Sequence, residues 1–228
     1  MKLKQSRRQH AGAGRPAVIG AVLLVAVLTL LSVAYGPDLL GYYRFSQAVE
    51  QASEESLAIG GPWPQFNAVC STCHGVAGHS LNQFYPSLAG QPEAYLTQQL
   101  QAFASGQRAN PIMSSLAINL SADQIERLAA FYSALPAEPN LAFSPDPQRR
   151  EQGKRLVEQH NCASCHGEQL QGQAPNPRLA GQGYNYLVTQ LSNYKNGSRK
   201  DAAGIMAAMA APLGDQDIID IATYLANH

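Results

Sequence analysis

The four cysteines of this 228-residue chain stand in two matching settings, Cys70-Ser71-Thr72-Cys73-His74-Gly75 and Cys162-Ala163-Ser164-Cys165-His166-Gly167. Two thiols about one helical turn apart can each add to one of the two vinyl groups on a haem edge. The histidine that follows is then held under the iron as its proximal ligand, a role that suits neutral imidazole. Three other chemistries use paired cysteines. A zinc site needs four converging ligands, which would tie the two motifs around one ion and leave His74 and His166 unexplained. A thioredoxin-type redox pair wants a βαβ context, which the sequence lacks. Two disulfides are the usual use of four cysteines in an exported chain. The Cys-x-x-Cys-His spacing favours two covalently bound haem c groups over all three.

A six-coordinate iron needs a second axial ligand, and only four methionines are present, Met1 included. Met113 is the candidate in the first half. In the second half Met206 aligns with Met113 without a gap to the carboxyl end, whereas Met209 aligns with Leu116. An isolated methionine is more often core filler, but one recurring at the same place in both halves is expected to ligate. Thioether ligation favours ferrous iron and raises its potential. His79 and His160 lie near the motifs but do not correspond between halves, so surface or haem-rim positions are expected for them.

The elements that must position these residues are themselves duplicated. Leu88-Ala89-Gly90-Gln91 recurs as Leu179-Ala180-Gly181-Gln182. Tyr95, Leu96, Gln99, Leu100, Gly106 and Arg108 recur as Tyr186, Leu187, Gln190, Leu191, Gly197 and Arg199, and Leu120, Ile125 and Ala129 as Leu213, Ile218 and Ala222. The periodicity is helical throughout. Leu96, Leu100 and Phe103 make one helix face between Pro92 and Gly106, and Ser121 with Gln124 has capping-box spacing ahead of a helix to Leu135. Its buried stripe is Ile125, Leu128, Ala129 and Tyr132. No strand-like alternation of useful length occurs, so the fold class is all-α. Prolines 136, 139, 145 and 147 mark a linker. The boundaries read as a basic amino terminus and apolar segment over 1–36, a linker over 37–61, a first domain over 62–137, a linker over 138–147 and a second domain over 148–228. Domains of this size bury limited surface on their own, and a macrocycle would fill the deficit.

Ala17–Ala34 is apolar apart from Thr29 and Ser32, and Lys2, Lys4, Arg7, Arg8 and Arg15 all precede it. About 20 apolar residues span a bilayer, and the basic prefix keeps the amino terminus cytoplasmic. An uncleaved single-pass inner-membrane anchor is expected, with Tyr35, Tyr42 and Tyr43 near the far interface. The alternative is a signal peptide cut after Ser32-Val33-Ala34, leaving a soluble periplasmic protein. Both export the remainder. Formal net charge is zero, with no basic stripe for nucleic acid. The stretch 59–140 is mildly acidic, Arg108 and Arg127 facing Glu93, Asp123, Glu126 and Glu138 in the count.

Over residues 62–228, the attachment motifs, the Pro-x-Leu-Ala-Gly-Gln element, the Tyr-Leu helix and the methionine followed seven residues later by leucine resemble cytochrome c4, a family of dihaem class I cytochromes c. The resemblance implies two tandem class I cytochrome c domains, with haem bound through Cys70, Cys73, Cys162 and Cys165. It implies His74/Met113 and His166/Met206 as axial ligands, with Pro86 and Pro177 offering their carbonyls to the proximal histidines. It further implies electron transfer between respiratory complexes, from a quinol-oxidising bc-type complex to a haem–copper oxidase. The alternatives are the electron-accepting subunit of a periplasmic dehydrogenase and a dihaem enzyme such as a peroxidase. Catalysis at iron wants an open coordination position, which a methionine in each half would close, and no spare cysteine exists for the unusual ligation of some sulfur-oxidising relatives. An electron carrier is therefore expected. The membrane segment departs from the family pattern, since only some relatives carry one.

Overall fold

The computed structural model describes residues 15–60, 67–201 and 203–228. Lys2, Lys4, Arg7 and Arg8, the side chain of Tyr42, and the junction 61–66 lie outside the described residues. The chain forms two compact units, 1–59 and 60–228.

The first unit is built on one helix, α1 (Arg15–Gly60). Within it Val18–Gly36 is long and apolar enough to cross a membrane, with a mean hydropathy of 2.6. Its two aliphatic hydroxyls are satisfied by the helix itself, Thr29 Oγ1 donating to Val25 O at 2.8 Å and Ser32 Oγ to Leu28 O at 2.8 Å, so neither needs water. The helix runs on through residues 37–60, the stretch read as a linker, because nothing there breaks helical periodicity except Pro37, which forgoes one N–H.

The second unit is helical in both halves, and among the described residues the β pairing is confined to one isolated bridge, Gln173–Asn176. The first lobe holds α2 (Ala68–His74), α3 (Glu93–Ala104), α4 (Pro111–Ala117) and α5 (Ala122–Ala134). The second holds α6 (Pro147–Gln159), α7 (Ala163–His166), α8 (Tyr184–Lys195), α9 (Ile205–Ala210) and α10 (Asp215–Ala226). The Ser121–Gln124 capping box is formed, and α3 starts one residue after Pro92, which stands at its N-cap. Gly106 follows α3 with φ +76°, a conformation that ends a helix with no Cβ penalty. The expected stripe is buried: Leu128, Ala129 and Tyr132 of α5 pack with Ala89, Leu96 and Leu135. Ile218, Ile221, Ala222 and Leu225 of α10 do the same against Leu156, Val157 and Leu187.

Helices α6 and α10 cross at Gly153, where an added Cβ would stand 1.9 Å from Asp220 O and 2.9 Å from Tyr224 Cβ. The obstacle is backbone, so relief requires separating the helices. Gly153→Ala is expected to destabilise the second lobe by about 3 kcal/mol or more, measured as a lower urea midpoint; an unchanged midpoint would show that the crossing yields freely.

Candidate functional site

Each Cys-x-x-Cys-His motif lies on a short helix whose exit is set by glycine. Helix α2 carries Cys70, Cys73 and His74 and stops at Gly75, with φ +78°, where a Cβ would fall 1.9 Å from His79 O. Helix α7 carries Cys165 and His166 just after Cys162 and stops at Gly167, with φ +87°. The chain then loops back so that a proline carbonyl meets the imidazole. His74 Nδ1 lies 2.8 Å from Pro86 O, and His166 Nδ1 lies 2.8 Å from Pro177 O. The returning segments are pinned identically: Leu88 and Ala89 N–H donate to Gly78 O, and Leu179 and Ala180 N–H to Leu170 O. Gly90 and Gly181 N–H then bond the last helices at Tyr132 O and Leu225 O.

With the carbonyl accepting at Nδ1, each ring is fixed in the tautomer that carries its proton there, leaving Nε2 as a lone-pair donor. Burial lowers the pKa of both imidazoles, against the opposing pull of Pro86 and Pro177; a neutral ring is the form that ligates iron. No disulfide joins any of the four cysteines. Burial also pushes the Cys70 and Cys162 thiols up. Among the described residues no three histidine, cysteine, aspartate or glutamate side chains converge as a metal cluster, so the two motifs do not close around one zinc.

Met113 and Met206 sit near the starts of α4 and α9 and are half-buried. Asn110 Oδ1 accepts from the N–H of Ile112 and Met113, and Asp201 from those of Ile205 and Met206. Leu116 and Met209 are alike in exposure, 39% and 38%, which supports the register pairing Met206 with Met113. Ile112 and Ile205 are also largely uncovered on these helices. The donor set and the uncovered aliphatic surface on α4 and α9 fit a haem in each lobe: two thiols, a preset imidazole, a thioether and apolar side chains for a macrocycle to cover. His79 is half-buried and lies 3.7 Å from Glu138, and His160 stands at the end of α6.

Polar residues repeated in both copies meet between the lobes. Arg108 bonds Gln99, Tyr186 and Gln190, and Arg199 bonds Gln190, Tyr95 and Gln99. Arg199 is only 6% exposed. Burial opposes its charge, yet the phenols of Tyr95, Tyr186 and Tyr194 prevail and raise its pKa. Burial raises the Tyr186 phenol, but Arg108 and Arg199 outweigh it and draw it down to about 8. Gln91 Nε2 donates to Arg178 O and its Oε1 accepts from Arg178 N, both at 2.9 Å. Gln182 Nε2 donates to Ser87 O at 3.0 Å and its Oε1 accepts from Ser87 N at 2.7 Å. Sequence reasoning passed over these glutamines and arginines as site residues, although their recurrence at polar positions was a usable signal.

The chain is similar to known c-type cytochromes. Residues 150–228 match the family described as cytochrome c, and residues 61–131 match cytochrome c oxidase, cbb3-type, subunit III. The chain is 37% identical over 173 residues to the thiosulfate dehydrogenase electron acceptor of Thiomonas intermedia (strain K12), covering 72% of this chain and 80% of that one. It is 35% identical over 170 residues to cytochrome c4 of Thiocapsa roseopersicina, covering 70% and 86%. Reduced recombinant cytochrome c4 from Pseudomonas stutzeri superposes with a TM-score of 0.66 at 31% identity, over 71% of this chain and 94% of that one.

Proposed function

This chain belongs to the cytochrome c4 family of dihaem class I c-type cytochromes, and from that premise we propose that it is a membrane-tethered electron carrier with its haem lobes in the periplasm. It takes electrons from a quinol-oxidising bc-type complex and delivers them to a haem–copper oxidase. The observation that carries the reading is the pair of buried histidines, each held at 2.8 Å by a proline carbonyl and each following two cysteines that form no disulfide. Haem, when bound, supplies a one-electron couple at each iron. Cys70, Cys73, Cys162 and Cys165 would hold it covalently, His74 and His166 would ligate from one side, and Met113 and Met206 from the other. The protein's part is to keep the ligands still: Pro86 and Pro177 fix the rings, Asn110 and Asp201 fix the methionine helices, and burial excludes water from the imidazoles. With Met113 and Met206 occupying the second axial positions, both irons would suit outer-sphere electron transfer rather than catalysis at the metal. Arg108 and Arg199 bring two guanidinium groups between the lobes, with hydrogen-bond partners that are glutamine amides and tyrosine phenols.

A second reading follows from the relatives in Thiomonas and Stutzerimonas described as thiosulfate dehydrogenase electron acceptors: the donor is a periplasmic dehydrogenase. Stopped-flow reduction separates the two. Fast reduction by a quinol-fed bc-type complex supports the first reading, and fast reduction only by thiosulfate with its dehydrogenase supports the second. Reduction by neither, on the timescale of turnover, would overturn both.

The tether is testable separately. Val18–Gly36, whose Thr29 and Ser32 hydroxyls bond within the helix, is expected to remain on the mature protein, which should fractionate with membranes and begin near Met1. A mature amino terminus near Tyr35, with soluble protein, would establish the signal peptide instead.

A further inference from the structure

The interlobe glutamines end on the very peptide groups that hold the proximal histidines. Pro86 C=O, which accepts from His74, and Ser87 N–H, which donates to Gln182 at 2.7 Å, are the two ends of one peptide unit. Pro177 C=O, which accepts from His166, and Arg178 N–H, which donates to Gln91 at 2.9 Å, are the two ends of another. Each relay crosses the lobe boundary: Gln182 is in the second lobe and serves His74, and Gln91 is in the first and serves His166. Both glutamines are almost fully buried, at 2% and 3% exposure, so water does not compete for these bonds. Each is also clamped through its amide nitrogen to the next carbonyl, Ser87 O or Arg178 O, which fixes which end of the amide faces the peptide N–H.

The peptide is a conjugated, planar unit. An acceptor at its N–H pushes electron density toward its carbonyl oxygen, and hydrogen bonds linked in this way strengthen one another. A stronger carbonyl acceptor draws the Nδ1 proton further from the imidazole. The ring then becomes a better donor at Nε2, which stabilises the more oxidised metal and lowers its potential.

We propose that Gln182 and Gln91 are positioning residues that act across the lobe boundary, each setting the strength of the hydrogen bond on the other lobe's proximal histidine and so the reduction potential of the other lobe's haem. The proposal rests on the haem-ligand reading of His74 and His166. It makes the packing of the lobes a determinant of both potentials: any partner that shifts one lobe against the other alters both relays together.

The test uses the full chain carrying its haems, with each potential assigned to a lobe by nuclear Overhauser contacts to the haem methyl groups. Gln182→Met keeps the bulk and removes the acceptor. It is expected to shift the first lobe's reduced-to-oxidised ratio, at fixed ambient potential, about twofold to threefold toward reduced, and to move the His74 Nδ1 proton resonance upfield, with a smaller change in the second lobe. Gln91→Met should do the converse, acting on the second lobe and His166. Gln182→Glu, which keeps an acceptor oxygen, should hold the first lobe's potential at or below the wild-type value. Shifts confined to the mutated residue's own lobe, equal shifts in both, or none overturn the inference while leaving the electron-carrier reading intact. A covalent haem count other than two overturns the reading itself, and the inference with it.

Discussion

Replacing Cys162 and Cys165 together with alanine is expected to halve the covalent haem content and leave the first lobe's haem in place. The two motifs sit on separate helices, α2 and α7, and each has its own proline partner and its own core. No residue of one motif ligates or bonds a residue of the other, so attachment in one lobe has no chemical dependence on thiols in the other. The second lobe is expected to lose packing as well as colour. Its aliphatic surface on α9 is uncovered, and a domain of this size has little apolar burial in reserve. The measurements are haem per chain after acid–acetone extraction and the thermal unfolding profile. One haem surviving extraction, with a low-temperature transition added, is the expected result. Haem lost to extraction from the unmutated protein, or stoichiometric zinc, would refute covalent attachment altogether.

The second large effect lies at the other axial position. Met206→Ala is expected to abolish the second haem's sulfur-to-iron charge-transfer band and to lower its potential by on the order of a few tenths of a volt, part of the roughly 0.8 V that axial ligands span. Met209→Leu should leave both nearly unchanged. The two methionines are three residues apart on α9, and such neighbours share a helix face, so spacing alone does not separate them. Three observations favour Met206. Its backbone N–H is anchored by Asp201, as that of Met113 is by Asn110. Met206 and Met113 are both half-buried. Met209 matches Leu116, a side chain with no ligating atom, in exposure. The reverse outcome for the two variants would mean that the loop before α9 is shifted by three residues relative to its counterpart, with the electron-transfer role untouched.

The Ser121 capping box and the stripe Ile125, Leu128, Ala129 and Tyr132 were legible because both depend on residues three or four apart on one helix. The apolar span was equally legible, since bilayer crossing depends on length and composition. Its far end was not: α1 continues to Gly60 through the stretch read as a linker, because periodicity carries no mark where an apolar helix turns polar.

The attachment chemistry was determined by sequence alone, since thiol, thiol and imidazole within five consecutive residues form a unit that any helical turn can present. The duplication was also there to read, and with it the expectation of two haems. Only the tertiary structure decided what the repeated polar residues do. Gln91 meets Arg178, 87 residues away, and Gln182 meets Ser87, 95 residues away. Such pairings arise from the angle at which two lobes pack, and a repeat within the chain states that both lobes carry the same surface without stating which part of it faces the other. Gly183 allows part of that approach: a Cβ there would stand 2.7 Å from Gln83 O, and Gln83 O accepts from Tyr186 N–H at 2.8 Å. A glycine in a helix-leading loop reads locally as a turn, and its reason, the passage of another lobe's backbone, exists only once the lobes are packed.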